Sequence, residues 1–252
     1  MYYNHTKLRQ KDKPCPIKNV HPPKSKCTTG APYTGAGLFD SLALAYDSWF
    51  EEEGKVIFDI EVRAFQEVLA SLPKPWLEVG VGSGRFARAL GIGTGIDPSI
   101  KLLEMANKRG ITVLLGRGEQ QIFNAAAFGT VFLIVTLCFV DSASDVLKES
   151  RRVLAPGGKI VLGLVLKDSP WGKFYEQKKR QGHRFYKYAT FYRYDDVVGL
   201  LEQAGFSIEK VISTLFQEPG KVEHGELPRR GFSPDAGFVI IVAGDNPNAG
   251  YC

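Results

Sequence analysis

The spacing of apolar residues predicts helices and strands from residue 39 to residue 245. A three- and four-residue spacing predicts a first helix that begins at Phe39, with Asp40 or Ser41 as its cap. A second amphipathic run ends before Pro73. The spacing therefore predicts two helices ahead of the first strand.

Beyond Pro75, short apolar runs alternate with helical patterns. The predicted strands are 76–79, 94–96, 111–115, 130–137 and 159–166, and the helices between them are 85–90, 100–109 and 144–154. The fourth of these strands is an almost continuous apolar run, which is typical of a central parallel strand covered on both faces. The alternation predicts a doubly wound α/β sheet.

The alternation stops after residue 167. An aromatic and basic segment follows, and then a helix over 195–204 and two strands, 206–215 and 237–243, joined by a long loop. We divide the chain into a flexible basic tail (1–38), a single domain (39–245) and a short C-terminal tail (246–252). Within the domain we expect helices (39–72), a core (73–167), a lid (168–194) and a sheet completion (195–245).

The N-terminal tail is rich in proline and lysine and suits a solvated segment rather than a core. The tail holds seven basic residues and one acid, which gives it a net charge of +6. Because the whole chain has a net charge of +5, the rest of the chain carries −1. The near-neutral remainder gives no electrostatic argument for a nucleic-acid surface. Cys15, His21 and Cys27 match no zinc spacing, and we expect no metal site.

The four cysteines form no CxxC pair, which favours a reducing compartment. The N-terminus has no apolar signal core, and the longest apolar stretch, 131–140, is too short to span a bilayer. We therefore expect a cytoplasmic protein that makes no membrane contact.

The candidate chemistry begins at the turn after the first strand, where Glu78 is followed by Gly80, Gly82 and Gly84. A glycine turn between a strand and its helix lets the backbone approach a ligand, with free N–H groups at the helix start. A dinucleotide fingerprint requires a sixth-position glycine, and Arg85 occupies that position.

This turn resembles the first motif of class I S-adenosylmethionine-dependent methyltransferases. Asp97-Pro98-Ser99 after the second strand, Gly118-Glu119 after the third and Asp141 after the fourth follow in the order found in the ubiquinone and menaquinone biosynthesis-like superfamily, the methyltransferase type 11 domain. The segments 169–175 and 185–191 resemble a small prokaryotic group within it. That resemblance implies a cofactor and a reaction class, and no particular acceptor.

The resemblance implies S-adenosyl-L-methionine as cofactor and a Rossmann-like seven-stranded α/β sheet, mostly parallel with an antiparallel last strand, with a helical N-terminal cap and a lid insertion after strand five. It implies twelve cofactor-binding residues: Tyr46, Glu78, Gly80, Gly82, Gly84, Asp97, Pro98, Ser99, Gly118, Glu119, Thr136 and Leu137. Asp97 would hold the ribose hydroxyls, Glu119 would lie near the adenine, and Tyr46 would close over the cofactor.

The lid is the candidate acceptor side, because it follows strand five at its carboxyl end. Its aromatic and basic residues suggest an apolar wall and a cationic rim for a small, anionic acceptor, although a helix that merely covers the sheet is an equal interpretation. Stacking on RNA is disfavoured, because no RNA-binding module accompanies the segment.

Candidate catalytic residues are His183, Tyr186 and Asp141, although His183 also suits a surface position and Asp141 also suits a helix cap. We interpret Cys138 as a core residue. Glu78 is an ionisable residue within a predicted strand, so it needs a hydrogen-bonding or charged partner. Methyl transfer requires a base only if the acceptor must lose a proton.

The predicted function is methyl transfer to a small molecule. The alternatives are a nicotinamide-dinucleotide oxidoreductase, which would require glycine at position 85, and a protein that binds the cofactor without catalysis.

Overall fold

The structure is a computed structural model that describes residues 34–246. Most of the predicted basic tail, with Cys15, His21 and Cys27, lies outside the described residues, as does the end of the C-terminal tail. Among residues 34–246, no helix combines the length and hydropathy needed to cross a bilayer.

Seven α-helices, one short 3-10 helix and eight strands make up the described part of the chain. The helices are α1 (Thr34–Trp49), α2 (Lys55–Leu69), α3 (Arg85–Leu90), α4 (Ile100–Lys108), α5 (Ala143–Val153), α6 (Pro170–Arg180) and α7 (Tyr194–Gln203), and the 3-10 helix is Tyr186–Tyr188. The strands are β1 (Trp76–Val79), β2 (Thr94–Asp97), β3 (Thr112–Leu115), β4 (Phe128–Ile134), β5 (Leu154–Leu164), β6 (Phe206–Thr214), β7 (Arg229–Arg230) and β8 (Phe238–Asp245).

The strands form one sheet in the order β3-β2-β1-β4-β5-β8-β6-β7. The first five strands are parallel, and β8 runs antiparallel between β5 and β6. The Rossmann-like α/β fold and the antiparallel last strand are confirmed. The predicted count of seven strands is wrong, because β7 adds an eighth at the edge by pairing with β6. Two exposed arginines carry no alternating pattern, so the sequence does not reveal this strand.

Each face of the sheet packs against helices and forms its own apolar layer. Alternation along β4 sends Phe132 and Ile134 toward the side of α2 and α3, and Val131 and Leu133 toward α5 and α7. All seven residues of β4 are buried, as expected for a central strand covered on both faces.

Two of the element ends that differ from the predictions lie near the candidate site. The structure starts α1 at Thr34, so Asp40 and Ser41 lie inside the helix rather than at its cap. It ends β4 at Ile134 rather than at residue 137, because Val135 has a φ of 52°. A β-branched residue rarely adopts this left-handed backbone, and the sequence contains no sign of it.

Candidate active site

The glycine turn follows β1 and lies against Thr136, just beyond the end of β4. The backbone N–H groups of Gly80 and Val81 both donate to the carbonyl of Ile96, at 2.8 and 3.1 Å. Gly80 has a φ of 75°, and a methyl group at its Cα would overlap the side chain of Thr136. Only glycine fits both the backbone conformation and the space, so the turn leaves main-chain atoms exposed to a ligand.

Asp97 at the end of β2 is tied to the same turn. One carboxylate oxygen accepts the N–H of Gly82 at 2.9 Å, and the other accepts the N–H of Ser99 at 2.8 Å. The side chain is 8% exposed, and burial raises its pKa to about 6 despite these two hydrogen bonds. Each oxygen keeps a lone pair, so the group can still accept hydrogen bonds from a diol.

A cleft at the carboxyl edge of the sheet brings most of the predicted cofactor residues together. It lies beside the β1–β4 pair, where the strand order reverses and open α/β sheets bind ligands. The predicted residues that line it are Tyr46, Gly80, Gly82, Asp97, Pro98, Gly118, Glu119 and Thr136.

Four of the predicted residues do not line this cleft: Glu78, Gly84, Ser99 and Leu137. Leu137 is fully buried in the apolar layer beneath α5. Ser99 is fully buried as the N-cap of α4, where its hydroxyl accepts the N–H of Leu102 and donates to Asp40. Gly84 packs against Ala106 of α4, where a larger residue would be too close.

Glu78 lies below the glycine turn rather than in the cleft wall. It is 2% exposed, and burial followed by the nearby charge of Asp97 raises its pKa well above the usual range. It accepts one hydrogen bond from the backbone of Ala87, while Oε2 has no hydrogen-bond partner among the described residues. An orphaned acceptor below the turn fits a site that is completed by a donor from outside the chain.

The rim of the cleft carries a cluster of charged side chains at the ends of β3 and β4. Arg117 hydrogen-bonds both Glu119 and Asp141, and the N–H of Asp141 donates to Glu119 at 2.9 Å. Burial alone would raise the pKa of Glu119, but the Arg117 guanidinium holds it below its usual value. Asp141 does not cap α5, because Ser142 occupies the N-cap position.

Sequence reasoning missed the ion cluster that fastens α1 over the glycine turn. Asp47 accepts hydrogen bonds from Arg85 at 2.9 and 2.7 Å and from Arg109 at 2.7 Å, and Arg109 also donates to the carbonyl of Ser83. Burial alone would raise the pKa of Asp47, but Arg85 and Arg109 hold it well below its usual range. The cluster positions Tyr46, one residue earlier, against Gly82.

We expect Asp47→Asn to lower the free energy of unfolding by about 2–3 kcal/mol at neutral pH, because two arginines lose their charged acceptor. A carboxylate whose pKa is lowered by folding stabilises the protein above its unfolded pKa of about 4, and this contribution is lost as the pH falls further. Urea unfolding should therefore show the full difference at neutral pH and a shrinking one below about pH 4.

Asp59→Asn is the matched control. Within the described residues, Asp59 pairs only with Lys55, and the two side chains are 58% and 62% exposed. This change should cost less than about 0.5 kcal/mol. Equal effects of the two substitutions would contradict a structural role for the Asp47 cluster.

A second cavity, which we call the side cavity, opens beside the cofactor cleft and is lined by residues of α1, α2, α6 and the segment that follows α6. The two spaces share the wall residues Phe39, Tyr46, Val135 and Phe139. Sequence reasoning missed Val135, whose strained backbone places it between the two spaces.

Of the candidate catalytic residues, His183 and Tyr186 line the side cavity and Asp141 does not. Burial first, and then Lys178 and Arg184, lower the pKa of His183, whose Nδ1 accepts the N–H of Phe185 at 3.4 Å. Burial raises the pKa of Tyr186 to about 12, so its hydroxyl is a neutral hydrogen-bond donor at neutral pH. Burial likewise raises the pKa of the Cys138 thiol to about 12, which suits a packing residue.

Comparison with known proteins gives a consistent picture. A family model described as a methyltransferase domain (Methyltransf_11) matches residues 77–162. A protein of Methanocaldococcus jannaschii, described as uncharacterized, is 37% identical over 82% of this chain and 98% of its own. A Mycobacterium tuberculosis protein with the same description is 38% identical over 81% of this chain and 72% of its own.

One solved structure supports the fold and the cofactor together. A SAM-dependent methyltransferase of Thermotoga maritima, described as a possible histamine N-methyltransferase, is 34% identical, with a TM-score of 0.77 over 83% of this chain and 99% of its own.

Proposed function

Because this chain belongs to the S-adenosylmethionine-dependent methyltransferases and uses S-adenosyl-L-methionine as its cofactor, we propose that it methylates a small molecule held in the side cavity. The observation that carries the proposal is the shared wall between the two spaces, formed by Phe39, Tyr46, Val135 and Phe139. An enclosed cavity suits a small acceptor rather than a polynucleotide or a protein. Membership of this family also sets aside the nicotinamide oxidoreductase.

The cleft fits the cofactor at three points. The glycine turn offers main-chain atoms to the methionine part, Asp97 offers acceptors to the ribose hydroxyls, and Glu119 offers an acceptor at the rim for the adenine amino group. We assign cofactor contact to the predicted residues that line the cleft, with Glu78 as a buried acceptor below the turn. Pro98 supplies an apolar surface beside the adenine.

When bound, the cofactor supplies an electrophilic methyl group on a sulfonium. The residues of the shared wall hold the acceptor in line with that methyl group and exclude water, which is how positioning accelerates such a transfer. The chain's own residues therefore need supply neither the nucleophile nor the leaving group, since the acceptor and the bound cofactor would provide them. Tyr46 faces both spaces, and its neutral ring can stabilise nearby positive charge.

The test of the proposal is methyl transfer to a panel of small amines, phenols, thiols and carboxylic acids, followed by mass spectrometry. Histamine belongs in the panel because of the description of the Thermotoga maritima structure. We expect one chemical class to gain a methyl group. Ala45→Phe, which adds a ring to a residue lining the side cavity, should abolish that transfer and change S-adenosylhomocysteine affinity less than about threefold.

Leu44→Phe is the matched control, because Leu44 is the neighbouring residue of α1 and is 79% exposed. It should leave the transfer unchanged. Transfer that survives Ala45→Phe would contradict an acceptor site in the side cavity, as would methylation of only RNA or protein substrates.

A further inference from the structure

Glu61 is an acidic residue buried on the apolar side of α2, in the wall of the side cavity. It precedes Phe65 by four positions and Val68 by seven, so it lies on the same helix face as these core residues. The side chain is 6% exposed and lines the cavity. Among residues 34–246, Glu61 makes no hydrogen bond and no ion pair.

An unpaired carboxyl group in such a place is costly. Burial raises the pKa of Glu61 to about 8, and no nearby charge contributes to that shift. A leucine or glutamine would avoid the penalty of a buried charge, so the position suits a partner that arrives from outside the chain. The competing interpretation is a permanently protonated acid that only fills the core.

The rest of the cavity surface favours a positively charged partner. The aromatic rings that line it are Phe39, Tyr46, Trp49, Phe50, Phe139, Tyr175, Phe185 and Tyr186. Ring faces attract cations, and they attract organic ammonium groups in particular. A metal ion would need several ligating side chains, and the described part of the chain contains no group of three.

Basic side chains lie around the same cavity, and they led to the expectation of an anionic acceptor. Arg184 is exposed and stacks 5.2 Å from the centre of the Phe185 ring, and Lys178 lies 4.7 Å from the centre of the Phe174 ring. Neither makes an ion pair with Glu61, and His183 has a lowered pKa. Of the three basic residues that line the cavity, Arg184 is exposed and Lys178 and His183 are half-buried, whereas Glu61 is buried.

We propose that the side cavity selects a methyl acceptor that carries a protonated amine, with the ammonium group against Glu61 and the aromatic rings around the apolar part. This inference rests on the proposed function, since it takes the side cavity to be the acceptor site. Glu61 lines the side cavity but not the cofactor cleft, whereas the residues of the shared wall line both spaces. The ammonium group is thus held away from the reacting methyl group, and Glu61 positions the acceptor.

The test compares three probes of similar size and different charge on the whole protein with S-adenosylhomocysteine bound. Phenethylamine, phenethyl alcohol and hydrocinnamate are titrated by calorimetry at neutral pH. We expect the amine to bind at least about tenfold more tightly than the alcohol, and the carboxylate to bind most weakly. This comparison requires no variant.

Glu61→Gln should remove the preference for the amine while changing alcohol affinity less than about twofold. Glu53→Gln is the matched control, because Glu53 also lines the cavity but is exposed, and it should keep the preference. Thermal stability at least as high as that of the unsubstituted protein, together with unchanged S-adenosylhomocysteine affinity, would show that Glu61→Gln is folded.

Three results would overturn the inference: tighter binding of the carboxylate, binding of none of the probes, or an amine preference that survives Glu61→Gln. A protein that fails to bind S-adenosylhomocysteine would instead count against the proposed function, so the two failures are distinguishable.

Discussion

Asp97→Ala is expected to weaken S-adenosylhomocysteine binding about 100-fold or more. Asp97 holds the N–H groups of Gly82 and Ser99 and, in our proposal, both ribose hydroxyls of the cofactor. Hydrogen bonds to a charged group contribute about 1.5–3 kcal/mol each, and two of them correspond to a factor of about 100 or more. Calorimetric titration measures the change directly.

The same residue predicts how binding depends on pH. Because burial raises the pKa of Asp97 to about 6, the carboxylate gains a proton as the pH falls from about 7 to 5. The protonated group accepts fewer hydrogen bonds, so affinity should fall about tenfold at pH 5, and Asp97→Asn should show no such fall. The free energy of unfolding changes in the opposite direction to the affinity. Because folding raises the pKa of Asp97, this group makes the folded protein more stable as the pH falls from about 6 to 4.

Asp145→Ala is the control for the alanine substitution. Asp145 lies on α5 with a side chain that is 56% exposed and pairs only loosely with Lys148, at 3.8 Å. It should change S-adenosylhomocysteine affinity less than about twofold. Binding that survives Asp97→Ala would remove Asp97 from the proposed cofactor site.

The cofactor half of the site was largely predictable, because its signals are local in sequence. The glycine spacing and the acid each lie at the end of one strand, β1 and β2 respectively, so each can be recognised without knowing the fold. The cleft brings Gly80, Gly82 and Asp97 together. Their cofactor contacts remain proposals. Leu137 was chosen by position in the same way, but the early end of β4 turns its side chain into the core.

The ion cluster under α1 was not predictable, because it joins distant positions. Asp47 lies 38 positions from Arg85 and 62 from Arg109, and no local pattern links them. In the sequence, Arg85 is informative only because it departs from the dinucleotide fingerprint. The structure shows that it binds Asp47. Such contacts depend on how α1 crosses the turn, which is a tertiary property.

Glu61 was a missed residue for which the sequence did hold a signal. Its spacing from Phe65 and Val68 places an acid within the apolar stripe of an amphipathic helix. An acid on that face indicates either a buried charge or a cavity, and only the structure shows that a cavity is there. The basic residues that line the cavity, by contrast, are conspicuous in sequence but are less buried than Glu61.

Gly80→Ala is expected to lower the free energy of unfolding by about 2–4 kcal/mol and to remove measurable cofactor binding. An alanine at a φ of 75° costs about 1 kcal/mol, and overlap with Thr136 adds about 1–3 kcal/mol. Thr136 cannot turn away without loss, because its hydroxyl lies 3.0 Å from the carbonyl of Val79 and 3.1 Å from that of Ile134. Thermal or urea unfolding, together with S-adenosylhomocysteine titration, measures both effects.

Gly91→Ala separates the cost of the backbone conformation from the cost of overlap with Thr136. Gly91 has nearly the same φ, 78°, but no atom lies close to the position where a methyl group would be added. It should cost only the backbone term of about 1 kcal/mol and leave cofactor affinity unchanged. If the two substitutions cost the same, the approach of β1 to Thr136 is not tight, and the glycine turn loses its role in admitting the cofactor. If Gly80→Ala alone is severe, adding Thr136→Ala should recover the stability lost to overlap, because two residues in contact are coupled.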